Sequence, residues 1–238
     1  MLFSLLSGGD PRQIIISLLL SLPVILFALS AHEAAHAFAA YKMGDRTAYN
    51  LGRMTINPLK HLDIIGSLCM LVFGYGWAKP VPINARNFKD SRRGMAFTAI
   101  AGPLTNLLIG GISSALYGAA LFVYSYFAFD IAKNELLGNI VSVLITLLFL
   151  SGIMNLTLAV FNLIPLPPFD GSRFFSMFLP TKWYFAIMKY ERYSMIAILA
   201  ISMLCSRLFN FSPFSWIAEQ IFNGVAESIF KLLVFIVV

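Results

Sequence analysis

Ile15–Tyr41 reads IISLLLSLPVILFALSAHEAAHAFAAY. Its first sixteen residues, Ile15–Ser30, contain nothing more polar than serine. With its flanks, Gln13–Tyr41 exceeds the roughly 20 residues that a helix needs to cross a bilayer. At its end stand His32, Glu33 and His36, three ionisable groups within five positions. Such groups are costly in a membrane helix and are usually paired or functional there, so the three need a shared explanation. H-E-x-x-H on a helix supplies one. His32 and His36 lie about 400° apart in rotation, which puts them on one side, a turn apart. That spacing lets two imidazole nitrogens reach one zinc ion at about 2.1 Å. Glu33 is offset by about 100° from His32. It flanks the metal, where its carboxylate can take a proton from a water that the metal polarises.

The whole chain has the same character. Of 238 residues, 59% are hydrophobic and 12% charged, where a soluble domain carries about 25% charge. Mean hydropathy is +0.80. The composition predicts an all-α integral membrane protein and a single membrane-embedded domain over 1–238. The net charge of +6 would suggest nucleic acid in a soluble protein. Here the basic residues sit in loops between apolar spans, so the charge reads as orientation in the bilayer and no nucleic-acid partner is expected. Cys69 and Cys205 form no CxxC pair and are expected to be small buried hydrophobes. The N-terminus lacks the basic region of a signal peptide, so the first span is expected to be retained.

Five stretches are long enough to cross: about Gln13–Tyr41, Gly94–Phe129, Gly138–Ile164, Tyr190–Leu208 and Phe214–Val238. Ile64–Tyr75 is too short. It lies within Asn50–Phe88, a region rich in glycine and proline that reads as a re-entrant loop with a short β-hairpin between the first and second spans. Irregular backbone at that depth is tolerable only where protein or water satisfies it. The Lys42–Arg93 connection holds nine Lys and Arg and residues 165–192 hold four, thirteen together, against Arg12, Lys133 and Arg207 on the other side. The bias predicts a multi-pass protein of the cell inner or plasma membrane, with the N-terminus outside and the site opening toward the cytoplasm.

A catalytic zinc takes a third protein ligand and keeps one position open. The x-x-G-x-x-H extension is absent, since Ala39 and Lys42 occupy the glycine and histidine places. The candidates are Asp170, His61 and Glu135. Two further crossings bring Asp170 back to the side of the histidines, whereas Glu135 falls on the opposite side. Asp170 lies in NLIPLPPFDGSR, where Pro165, Pro167 and Pro168 end a helix and hold the chain extended, and Gly171 allows a tight turn. Asn162 stands near the helix end, where its amide can bond to freed backbone.

These segments together resemble the site-2 protease family of intramembrane zinc metalloproteases. HEAAH, His32–His36, matches the family's first motif, and NLIPLPPFDG, Asn162–Gly171, its second. AGPLTN, Ala101–Asn106, resembles a further element in the intervening helix. NPLKHLD, Asn57–Asp63, and GWAKPVPIN, Gly76–Asn84, resemble the re-entrant hairpin of small bacterial members. The resemblance spans about residues 13–180. It implies one zinc on His32, His36 and Asp170, with Glu33 as general base. It also implies hydrolysis of peptide bonds in or near the transmembrane segments of membrane-protein substrates. Such substrates are expected to carry helix-destabilising residues near the cut, because a helical peptide bond is screened by its own turn. The chain departs from larger members: no helix is expected before the HEAAH helix, the first connection is too short for a PDZ domain, and no regulatory domain is expected after Val238.

Three residues keep open roles. His61 reads as a group supporting the zinc ligands, a substitute ligand in a resting state, or a solvated loop histidine. Asn106 reads as a substrate contact or a cross-link between helices. Gly102–Pro103 reads as close helix packing or as a device that loosens the helix near the metal. A membrane metal carrier using the same ligands is the alternative function. It has no use for a glutamate beside the metal, and it would expose polar groups along several spans, whereas the last two spans read as nearly featureless. Another membrane zincin, with Glu191 as third ligand, lacks the motif context of Asp170.

Overall fold

The computed structural model describes residues 10–66, 68, 78–180, 182–183, 191–209 and 211–237. Its main helices are α1 (Pro11–Met43), α2 (Ser91–Tyr126), α3 (Glu135–Asn162), the short α4 (Asp170–Phe175), α5 (Glu191–Phe209) and α6 (Pro213–Val237). No sheet occurs among the described residues. Four helices, α1, α2, α3 and α6, are long and apolar enough to cross a membrane. α5 is helical where a fifth span is expected, but its 19 residues include Glu191, Arg192 and Arg207.

α1 begins and ends on local signals. Asp10 caps its start, accepting the Arg12 N–H at 3.0 Å, and Pro11 occupies the first turn, where its missing N–H costs nothing. Gly44 ends it with φ at 111°, a left-handed conformation that glycine adopts without penalty. Gly44 and Asp45 donate back to Tyr41 and Ala40, closing the last turn.

The chain divides into two compact units: Met1–Thr105 with Asn162–Ile196, and Asn106–Phe161 with Ala197–Val238. In the first, the described residues of Asn50–Phe88 form turns and short helical pieces, with no strand among them. Pro58–Lys60 and Ala85–Asn87 are 3-10 turns, and Leu62 and Ala78 form one isolated antiparallel bridge. Residues 67 and 69–77 of the expected hairpin region, Cys69 among them, lie outside the described residues. Cys205, in the second unit, is half-buried.

In the second unit Leu156, Ala218, Phe222 and Ala226 form a core, with Leu107, Tyr117, Ile153 and Ile221 packed against it. Lipid offers no hydrophobic drive for helix association, so close approach and buried hydrogen bonds carry it. Asn106 donates to Asn155 at 2.8 Å, and the Ser113 and Ser151 hydroxyls lie 2.9 Å apart. Asn106 thus joins α2 to α3. The featureless reading of the last spans needs correction for α6. Glu219, Asn223 and Glu227 recur every fourth residue on an exposed face, and Lys231 pairs with Glu227 at 2.9 Å. The buried face of α6 is apolar, so the two characters alternate with the helical period.

A side chain at Gly118 would place its Cβ 2.2 Å from the Ala226 carbonyl oxygen, which is backbone and cannot move aside. Gly111 has open space around it. Gly118→Val should therefore cost about 1–3 kcal/mol through overpacking, and Gly111→Val should stay within about 0.5 kcal/mol. Thermal unfolding of both variants in the same detergent checks the contrast; equal midpoints would contradict the packing.

Candidate metal centre

His32 and His36 project from the C-terminal half of α1, each 6% exposed, with their rings edge to face. Asp170 is the first residue of α4. The turn that carries it is tied down on several sides. Ser194 bonds to the Pro167 carbonyl, and Arg92, near the start of α2, donates to the Ser176 carbonyl at 2.8 Å. Gly171 is helical rather than a turn residue. Its need for glycine comes from the Leu163 carbonyl oxygen, which a Cβ would approach to 2.4 Å.

Three atoms converge. His32 Nε2 lies 3.0 Å from Asp170 Oδ2 and 3.0 Å from His36 Nε2, and His36 Nε2 lies 3.2 Å from Asp170 Oδ2. Nitrogen and oxygen ligands at about 2.0–2.1 Å from a tetrahedral zinc stand about 3.3 Å from one another. The triangle is close to that size. Its chemistry also fits a cation. His36 Nδ1 donates to the Thr98 carbonyl oxygen at 2.8 Å, and a carbonyl can only accept. In the neutral ring this leaves the lone pair on Nε2, facing the other two groups. An ionised Asp170 offers acceptors only.

Gly102 opens the route to Thr98. In a helix each carbonyl points toward the residue four positions on, so a side chain at 102 would crowd the Thr98 oxygen. A Cβ there would lie 2.5 Å from His36 Nε2 and 2.7 Å from His32 Cε1. Of the two readings of Gly102, close packing is the one observed, and the partner is the pair of imidazoles.

Glu33 stands outside the three-atom cluster. Its Oε2 accepts the Val81 N–H at 2.8 Å. Val81 belongs to an extended segment, 78–84, that is anchored at both ends. Arg53 donates to the Lys79 carbonyl at 2.8 Å, and Lys79 donates to the His61 carbonyl at 2.8 Å. Beyond Val81, the Asn84 N–H donates to Asp45 Oδ2 at 2.7 Å. Asp45 is fully buried and also accepts from the Asn87 amide at 2.6 Å and from Thr47.

The other candidates lie elsewhere. His61 is 2% exposed and its Nε2 bonds to the Thr55 carbonyl at 2.7 Å. It is neither solvated nor in the cluster, because the turn at Pro58–Lys60 folds it inward. Asn162 is the last residue of α3, as its place in the motif suggests. Glu135 opens α3 and is exposed, and the Glu191 side chain is outside the described residues. Sequence reasoning missed Thr98, Asp45, Arg53 and Val81. Asp45-Arg46-Thr47 after Gly44 carries a readable turn signal. Nothing local joins Val81 to Glu33, 48 positions away.

Two outcomes follow from this geometry. Gly102→Ala should displace the imidazoles and lower bound zinc at least tenfold, the scale at which groups orienting metal ligands act. Metal analysis of the purified variant checks this, and undiminished zinc would remove Gly102 from the site. Asp45 makes the anchoring pH-dependent. Burial raises its carboxyl, but the bonds from Thr47, Asn84 and Asn87 outweigh that and hold it below the ordinary value. A depressed carboxyl contributes fully above its unfolded value of about 3.9 and loses that contribution as pH falls through the folded value. Protease nicking within residues 78–87 should therefore rise in wild type below about pH 4. Asp45→Ala should be nicked at every pH and lose about 1.5–3 kcal/mol of stability. Nicking that ignores both acid and the substitution would rule the anchor out.

Known proteins share this arrangement of sequence. Residues 20–205 match peptidase family M50. The chain is 36% identical over 214 residues to "Putative zinc metalloprotease YwhC" of Bacillus subtilis, covering 87% of this chain and 88% of that protein. It is 28% identical over 156 residues to "Putative zinc metalloprotease Rip2" of Mycolicibacterium smegmatis, covering 61% of this chain and 52% of that protein. No solved structure matches at a comparable level. The matched span encloses both histidines, the glutamate and the aspartate, and the chain belongs to peptidase family M50, the site-2 proteases.

Proposed function

We infer that the chain is an intramembrane zinc metalloendopeptidase that hydrolyses peptide bonds in or near the transmembrane segments of membrane proteins. One observation carries this reading: His32, His36 and Asp170 converge to within 4.8 Å while Glu33, one residue from His32, stays outside the ligand set. His32, His36 and Asp170 would hold a single zinc, with the His36 ring fixed by Thr98. When bound, zinc lowers the pKa of water toward about 7 and polarises a carbonyl. Glu33 takes a proton from the attacking water and returns it to the leaving amide nitrogen as the C–N bond breaks. A carrier would need the ligands but not that glutamate. The polar face of α6 removes one earlier ground against a carrier, so the case rests on Glu33 and on the family.

The finer reading has several parts. The chain acts as one metalloprotease domain over 1–238. α5, at 19 residues and about 28 Å, is the fourth of five crossings. Asn50–Phe88 dips into the membrane as a re-entrant hairpin. Thirteen basic residues against three put the N-terminus outside and the site toward the cytoplasm of an inner or plasma membrane. Asn162 supports the turn that leads to Asp170, and His61 supports the segment beside Glu33. Substrates carry Gly, Pro or Asn near the cut. Opening a helix in lipid exposes backbone groups that cost several kcal/mol each unless they are paired.

Glu33→Gln should keep one zinc per chain and lose cleavage by about 10²–10⁴-fold, the range for a lost general base. Asp170→Ala should lose the zinc. Labelled transmembrane peptides, with and without chelator, read the activity, and glycine-containing helices should be cut faster than poly-leucine. Wild-type cleavage by Glu33→Gln, or activity that survives complete metal removal, would refute the mechanism.

A further inference from the structure

We propose that the backbone N–H of Val81 is the positioning donor for Glu33, and that Pro80-Val81-Pro82 presents it as a single fixed contact. The role rests on the reading of Glu33 as general base; the contact itself does not.

Val81 N–H reaches Glu33 Oε2 at 2.8 Å. Neither Pro80 nor Pro82 has an N–H, and the Lys79 N–H is engaged by the His61 carbonyl. Val81 is therefore the donor left to face the carboxylate at the centre of this stretch. Pro80 has a locked φ, and Pro82 restricts the residue before it to extended backbone. The segment thus loses little freedom on ordering. Both flanks are held by buried charged groups, Arg53 on the Lys79 and Pro80 carbonyls and Asp45 on the Asn84 N–H. The Val81 side chain adds a third hold. It is buried in a cluster with Ala37 and Ala48. Ala37 lies one helical turn beyond Glu33 on the same face of α1, and its small side chain lets the segment approach.

The contact has two consequences. It occupies one carboxylate oxygen and leaves Oε1 to exchange the proton. It also draws the carboxylate toward the segment, so that Glu33 stays beside the ligand cluster instead of joining it. Val81 acts through Glu33 and touches no reacting atom in this scheme.

The test has an activity arm and an exchange arm. Val81→Pro removes the donor and keeps the chain extended, whereas Val81→Ala keeps the donor and trims the packing. In the full-length protein, Val81→Pro should lower kcat on a glycine-containing transmembrane peptide by about 100-fold, the cost of slight misplacement of a reacting group. KM should stay within about twofold and zinc at one per chain, since uniform binding is untouched. Val81→Ala should keep kcat within about threefold, because a kcat loss reports interactions made in the transition state and its donor survives. Hydrogen exchange reads the contact without substrate. The Val81 amide should be protected in wild type and exchange at least tenfold faster in Glu33→Ala, while the Lys79 amide stays protected. Full kcat in Val81→Pro overturns the positioning role, and unchanged Val81 protection in Glu33→Ala overturns the contact. If Val81→Pro fails to fold and bind zinc, the exchange arm decides. A wild-type protein that cleaves none of the peptides would refute the proposed function and leave the exchange arm to decide the contact.

Discussion

The hydrogen bond from His36 Nδ1 to the Thr98 carbonyl is the constraint on which the centre depends. It places one imidazole proton on the outer side of the ring and so aims a lone pair inward. A buried histidine without that partner could present either nitrogen, and the triangle with His32 and Asp170 would not be defined. The bond has a steric condition. It needs a helix whose carbonyl is uncovered, and Gly102 provides this by lacking the side chain that would meet both imidazoles. Metal-binding helices are often described by their ligands alone. Here a glycine in another helix and a backbone oxygen set the orientation of the candidate ligands.

A second constraint is the cost of irregular backbone beside an apolar helix. Residues 78–87 form no regular strand, yet the groups nearest the site are paired. Arg53 satisfies carbonyls, Asp45 satisfies N–H groups, and Glu33 takes the Val81 N–H. Three charged side chains thus do for this segment what a neighbouring strand would do in a sheet. The arrangement makes the segment and Glu33 parts of one network, because a half-buried carboxylate and a buried amide each cost free energy without the other. The second unit meets the same problem differently. Its helices approach at Gly118 and Gly152 and join through Asn106–Asn155 and Ser113–Ser151, so that small residues and neutral amides replace charge.

Much of this was legible in the chain alone. Spans of about 20 or more apolar residues mark membrane helices because a helix satisfies its own backbone in lipid. The expected spans fall within a few residues of helices α1, α2, α3, α5 and α6, and four of these, all but α5, are long and apolar enough to cross a membrane. His32 and His36 were readable because helical periodicity is local, and four positions make one turn. Asp170 was reachable through the count of crossings and the motif that contains it. Asp10-Pro11 and Gly44 at the two ends of α1 likewise act through their own backbone.

What the sequence left undecided lies in contacts between distant segments. Thr98 meets His36 across 62 positions, and Val81 meets Glu33 across 48. Each contact involves a backbone group, which every residue carries and no residue type announces. A solvated loop histidine was one of three readings open to His61, and the inward turn after Pro58 buried it. Gly171 looked like a turn residue, and the approach of the Leu163 carbonyl gave the real reason for glycine. The sequence by itself determined which side chains can bind a metal and which helix carries them. Only the tertiary structure decided their orientation, since a lone pair is aimed by whatever bonds to the opposite side of the ring.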